Sequence, residues 1–174
     1  MSFHALITIV QKLIQDYWLP FLQKIQMPMS SNTDPVRMLI NGPSEIAKWS
    51  KELLPIDPIS VQNAAIFVTC VRWPLLIDPQ LQGIKWIKTR YGNDLKTIRI
   101  NAGKYMDALE HAISDGDVVL FEGIGETMDA VLDPVLGRMT SKKGRVIKLG
   151  DREVDYNKNF RLIIQTKLVY YSWS

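Results

Sequence analysis

The 174-residue sequence predicts an α/β fold in which helices flank a mainly parallel sheet. Two observations predict it. From Trp73 onward, short apolar runs alternate with helical patterns, and this β-α-β-α-β order builds parallel sheets. Val118-Val119-Leu120-Phe121 is continuously apolar, as a strand buried on both faces is.

Residues 4–26 open the chain as a helix. Leu6, Ile9, Val10, Leu13 and Tyr17 recur at helical spacing, and Pro20 is expected to end or kink it. Ile14, Trp18, Phe21 and Ile25 extend the apolar stripe, which packs on its own domain or docks on a neighbour. Residues 27–34 are turn-rich punctuation. A short helix is expected over 43–53 with Ser44 as its cap, then an extended path over 54–58. Ser60 is expected to cap the next helix, with Ile66, Phe67 and Val71 on its apolar face. Strands follow at 74–77, 97–100, 118–121 and 160–165, and helices at 83–90, 104–114 and 129–136. Residues 145–149 and 152–154 flank Gly150-Asp151 as a hairpin.

Composition narrows the function classes. Hydrophobic residues make up 47% and charged residues 22%, a globular balance. The net charge of +3 comes with no long basic run, so nucleic-acid binding has no compositional support. No apolar run reaches the roughly 20 residues that span a bilayer. The run over residues 3–10 lacks the basic start and cleavage site of a secretory signal. Cys70, the single cysteine, is expected to be an ordinary buried thiol in a reducing, intracellular setting.

The chemistry centres on residues 72–88, which read as strand, tight loop and amphipathic helix, the layout of a phosphate-binding loop. A working loop reads G-x-x-x-x-G-K-[ST], with amides that cradle phosphate, a lysine on the terminal phosphates and a hydroxyl on magnesium. Here the eight positions are Asp78, Pro79, Gln80, Leu81, Gln82, Gly83, Ile84 and Lys85. Only the second glycine survives, as Gly83. Asp78 places negative charge where phosphate would enter, Ile84 replaces the lysine, Lys85 replaces the hydroxyl, and Pro79 has no amide to donate. A helix N-terminus alone contributes about 0.3–1 kcal/mol, up to about 2. Micromolar affinity needs about 8 kcal/mol. Weak nucleotide binding or none is therefore expected. The partner motif fails in parallel, since a strand that should end Asp-Glu ends Glu122-Gly123. Glu122 is either a vestigial magnesium carboxylate or a strand-end carboxylate at the sheet's polar edge.

Other candidates are thin. His4 and His111 lack metal-ligand spacing, so no metal is expected. Cys70 has no visible base. Lys142-Lys143-Gly144-Arg145 is a basic turn, and Trp18, Trp73 and Trp86 are expected in the core rather than in a ligand box.

Arg72-Trp73-Pro74-Leu75-Leu76-Ile77-Asp78-Pro79-Gln80-Leu81-Gln82-Gly83-Ile84-Lys85-Trp86-Ile87-Lys88 closely resembles the dynein heavy chain, at the start of the fifth AAA+ module of its motor ring. The resemblance runs over roughly residues 15–167, through Ala47-Lys48-Trp49, Ser60-Val61-Gln62-Asn63-Ala64, Gly116-Asp117-Val118-Val119-Leu120, Asp133-Pro134-Val135-Leu136-Gly137-Arg138 and Phe160-Arg161-Leu162-Ile163-Ile164. The wording over 81–88 is more like the axonemal class. The resemblance implies a P-loop NTPase-like AAA+ large subdomain in a microtubule minus-end-directed, ATP-driven motor of the cytoplasm, cytoskeleton and ciliary axoneme. It implies a non-catalytic structural relay beside the stalk, without cofactor (ATP and magnesium only if the loop still binds weakly). Its partners would be the other ring modules, the intermediate and light chains through the full heavy chain and, indirectly, the microtubule, with no nucleic acid and no membrane.

On that resemblance the domains are a helical lead-in at 1–34, a degenerate large subdomain at 35–167 and a divergent tail at 168–174. The fifth strand and helical lid are expected to be missing, so Arg138 takes no arginine-finger role. Two other readings stand beside this one. A small P-loop nucleotide-binding enzyme needs the missing lysine and hydroxyl. A free-standing interaction domain would compete for dynein partners through an exposed sheet edge.

Overall fold

A computed structural model describes residues 13–27, 40, 42–100, 103–125, 127–141 and 144–167. The run at 3–10, His4, most of the punctuation at 27–34, Lys142-Lys143 and the tail at 168–174 lie outside the described residues. The chain divides into two compact units, Met1–Ala47 with Asp57–Thr69, and Lys48–Ile56 with Cys70–Ser174.

In the first unit, a π-helical turn at Ile14–Trp18 leads into α1, Leu19–Lys24. Pro20 falls in the first turn of α1, so the helical run does not end there, and its geometry changes from π to α just before the proline. Trp18, expected in the core, is 57% exposed, and Tyr17, Phe21 and Ile25 are exposed with it. Helix α2, Pro43–Lys51, crosses into the second unit. It begins at Pro43, which puts Ser44 inside the first turn, and Glu45 N donates to Gly42 O instead of to a side-chain cap. It stops before residue 53 because Leu53 adopts a left-handed φ of 75° and Leu54 N returns to Trp49 O. Helix α3, Pro58–Thr69, is capped by Asp57, not Ser60: Asp57 Oδ1 accepts from Ser60 N at 2.9 Å. Phe67 is buried, but Val71 lies past the helix end and is exposed.

The second unit holds the sheet. Strands β1 (Leu75–Ile77), β2 (Leu95–Arg99) and β3 (Val118–Glu122) are joined by helices α4 (Gln82–Tyr91) and α5 (Tyr105–Asp115). The strand β2 starts two residues earlier than its apolar run, because Leu95 and Lys96 pair with Val118 and Val119. The expected helix over 129–136 is a 3-10 turn at Ala130–Leu132 followed by the short α6, Asp133–Leu136. The hairpin β5 (Val146–Leu149) and β6 (Arg152–Asp155) gains a third strand, β4 (Thr140–Ser141), which sequence periodicity could not show in two residues. Strand β7 is Arg161–Thr166.

The main sheet has the order β1-β7-β3-β2 and every pair is parallel. All four C-terminal ends therefore share one edge. The central strands β3 and β7 carry the fully buried Val119, Leu120, Phe121, Leu162 and Ile163. One core joins Val119, Phe121 and Leu162 to Leu109 and Ile113 of α5, to Leu132 and Val135, and to Ile147 and Leu149 of the hairpin. Arg152 of β6 pairs with Asp107 and Glu110 of α5, both at 2.8 Å. Among the described residues, no helix is long and apolar enough to cross a membrane.

Candidate functional site

The site is built where β1 hands over to α4. Asp78 follows β1 directly, and its amide donates to Thr166 O of β7 at 2.9 Å, so the residue is fixed at the sheet's C-terminal edge. Its side chain turns onto the loop itself. Oδ1 accepts from Gln82 N at 3.0 Å and Oδ2 from Ile84 N at 2.8 Å. Asp78 is only 8% exposed. A buried carboxylate is costly unless hydrogen-bonded, and two amides at the positive end of a helix supply what it needs.

The loop backbone makes this reach possible. Leu81, at the helix N-cap, is left-handed at φ 60° and ψ 24°, and Leu81 N closes a turn on Asp78 O at 3.3 Å. Gly83 supplies the room. A Cβ there would come to 3.2 and 3.3 Å from the two δ carbons of Leu76 and to 3.4 Å from Asp78 Oδ2. Pro79, Gln80, Leu81, Gln82 and Lys85 are exposed, whereas Ile84 is 8% exposed and packs inward. The helix is anchored further along by Trp86, whose Nε1 donates to Glu52 Oε2 at 3.1 Å, and by Arg90, which bonds the same oxygen at 3.0 Å.

Glu122 ends β3 on the same sheet edge. Only β7 separates β1 from β3, so the two acidic strand ends lie roughly 10 Å apart across the sheet, with Asp78 two residues further along it. Glu122's side chain is 9% exposed. Its Oε1 pairs with Lys88 Nζ of α4, and its Oε2 accepts from Arg99 of β2 at 3.1 Å. Burial works against its ionisation, but the bonded Lys88 and Arg99 outweigh that and hold its carboxyl below the ordinary value.

Between these ends, Gln165 and Thr166 of β7 escaped sequence reasoning. Gln165 Oε1 accepts from Gly123 N at 2.9 Å, and Thr166 Oγ1 donates to Ile124 O at 2.8 Å. Gln165 is 1% exposed and its Nε2 has no partner. Two polar residues directly after the apolar run Leu162-Ile163-Ile164 were the signal that could have found them.

The remaining candidates lie elsewhere. Arg138, left-handed at φ 51°, stacks its guanidinium 3.6 Å from the Trp73 ring centroid. Trp73 is held in turn by a 2.8 Å bond from Nε1 to Val135 O. Cys70, expected to be buried, is half-buried, because α3 ends before it. His111 is exposed on α5. Among the described residues, no cluster of His, Cys, Asp and Glu has the grouping of a metal site.

The profile of one protein family, described as the ATP-binding dynein motor region, matches residues 47–174. The chain belongs to this family. Its relatives agree. It is 58% identical over 153 residues to the ciliary dynein beta chain of Tripneustes gratilla, covering 87% of this chain. It is 49% identical over 158 residues to axonemal dynein heavy chain 17 of Mus musculus, covering 90% of this chain. It is 49% identical over 157 residues to the flagellar outer arm dynein alpha chain of Chlamydomonas reinhardtii, covering 88% of this chain. The chain spans only 3%, 4% and 4% of those relatives' lengths. The α/β sheet with flanking helices is consistent with an incomplete AAA+ fold in that region.

Proposed function

We propose that this chain is the fifth AAA+ module of an axonemal dynein heavy chain and acts there as a non-catalytic relay. The motor it serves would be ATP-driven and minus-end-directed on microtubules, working in the axoneme. The other ring modules would be its direct partners, and the intermediate and light chains and the microtubule its indirect ones. The ciliary, axonemal and flagellar names of the relatives support the setting.

One observation carries the silent-site reading: the Asp78 carboxylate already bonds the Gln82 and Ile84 amides. In a working loop such amides face phosphate. A nucleotide would have to displace a tethered anion and overcome its repulsion, with no lysine at position 84 in return. The strand-end carboxylate that would hold magnesium is likewise committed to Lys88 and Arg99.

Isothermal calorimetry with ATP and magnesium, run beside a phosphate-release assay on the full 174-residue chain, tests the reading. The expected result is no saturable heat below about 1 mM, the affinity that corresponds to about 4 kcal/mol. Micromolar binding with turnover would overturn it in favour of a catalytic P-loop domain.

A further inference from the structure

We propose that this module carries built-in ligands: the Asp78 carboxylate in place of a phosphate, and the Lys88 and Arg99 cations in place of a metal ion, together fastening α4 to the sheet. The proposal rests on the silent-site reading above and extends it from an absence to a mechanism. A site that had only decayed would leave the helix amides to solvent and the strand-end carboxylate without a cation. Neither is so.

At the first point, two anionic oxygens of Asp78 meet two loop amides at 3.0 and 2.8 Å, from a residue whose own amide is tied to β7. This links the N-terminus of α4 to the β1–β7 edge. At Gly83 a Cβ would press on the Leu76 side chain at 3.2 and 3.3 Å and only touch Asp78 Oδ2, at 3.4 Å. At the second point, each oxygen of Glu122 takes a cation from a different element, Lys88 from α4 and Arg99 from β2. This links the middle of α4 to the β3–β2 edge.

A working P-loop site also ties this helix to the strand ends, through a nucleotide and its magnesium, and both leave after each turnover. Here the joining groups are covalent parts of the chain. The helix therefore stays fastened whatever the nucleotide concentration, which suits an element that passes strain on without changing state.

Chemical rescue of the full chain tests both points. Asp78→Ala removes the anion and opens the loop amides, and its melting temperature should fall by about 3–6 °C. Inorganic phosphate at tens of millimolar should restore at least half of that loss, measured against potassium chloride at matched ionic strength, while the unaltered chain responds equally to both salts. Asp78→Gly, which returns the glycine of a working loop, is the second variant should the alanine form fail to fold. At the other end, Lys88→Met combined with Arg99→Met leaves Glu122 without its cations. Magnesium chloride should then stabilise that variant by about 1–3 °C more than it stabilises the unaltered chain. Equal salt responses of variant and unaltered chain in either arm overturn the proposal. Saturable ATP binding by the unaltered chain would instead strike at the silent-site reading, so the two failures are distinguishable.

Discussion

Two acids at the ends of parallel strands carry the functional argument, and their surroundings set them apart. Asp78 is satisfied by backbone amides, Glu122 by side-chain cations. The Glu122 ion pairs have a defined pH signature. Its folded pKa lies below the ordinary 4.5, so its stabilisation is complete above that value and is lost as pH falls through the folded pKa. Glu122→Gln should therefore cost about 1–2 kcal/mol near neutral pH, after discounting for the solvent-facing Lys88 and Arg99. Urea unfolding over a falling pH series checks this, and the cost should shrink once the pH drops below 4.5 towards the folded pKa. Ile84 makes a second residue-scale prediction. From the motif alone, Ile84→Lys with Lys85→Thr should raise nucleotide affinity if the loop keeps its geometry. With the amides already bound by Asp78 and Ile84 buried, that pair alone should give no measurable gain by calorimetry. Adding Asp78→Gly should produce one. Sequence reading put Asp78 at the loop as a negative charge but could not give its direction, because the reach of a side chain depends on the left-handed turn at Leu81.

The elements were legible wherever local periodicity decides them. Strand β1 and the hairpin of β5 and β6 fall within a residue or so of their sequence patterns, because alternation and turn residues act over a few positions. The misses have physical causes. The cap of α3 went to Asp57 because Pro58 opens the helix, and the carboxylate three residues before Ser60 reaches its amide. The strand β2 was extended by pairing rather than by its own apolar run. The π turn and exposed aromatics around α1 obeyed the helical period without the burial it implies. The end of α5 supplies a prediction at this scale. Gly116 is left-handed at φ 82°, and a Cβ would stand 2.6–2.8 Å from the Asn157 side-chain amide that bonds Ser114 O and Asp115 O. Gly116→Ala should destabilise the fold by about 1–2 kcal/mol or more, read as a lower urea midpoint with an unchanged slope.

At the scale of the whole molecule, the strand order β1-β7-β3-β2 brings together residues far apart in sequence. The reading of one sequence supplied the parallel sheet and the two acidic strand ends. It could not supply Gln165 and Thr166, which matter only because β7 lies between β1 and β3. The same order predicts a gradient of protection. Amides of β3 and β7 should exchange slowest, and those of the three-residue β1, paired on one side and with Leu75 and Ile77 half-exposed, should exchange faster. The most direct test of the central claim reads two amides. In the unaltered chain, Gln82 and Ile84 N–H should be protected from hydrogen exchange to the same degree with and without ATP and magnesium, and Asp78→Ala should abolish that protection. Protection that depends on added nucleotide, or that survives loss of Asp78, would contradict it.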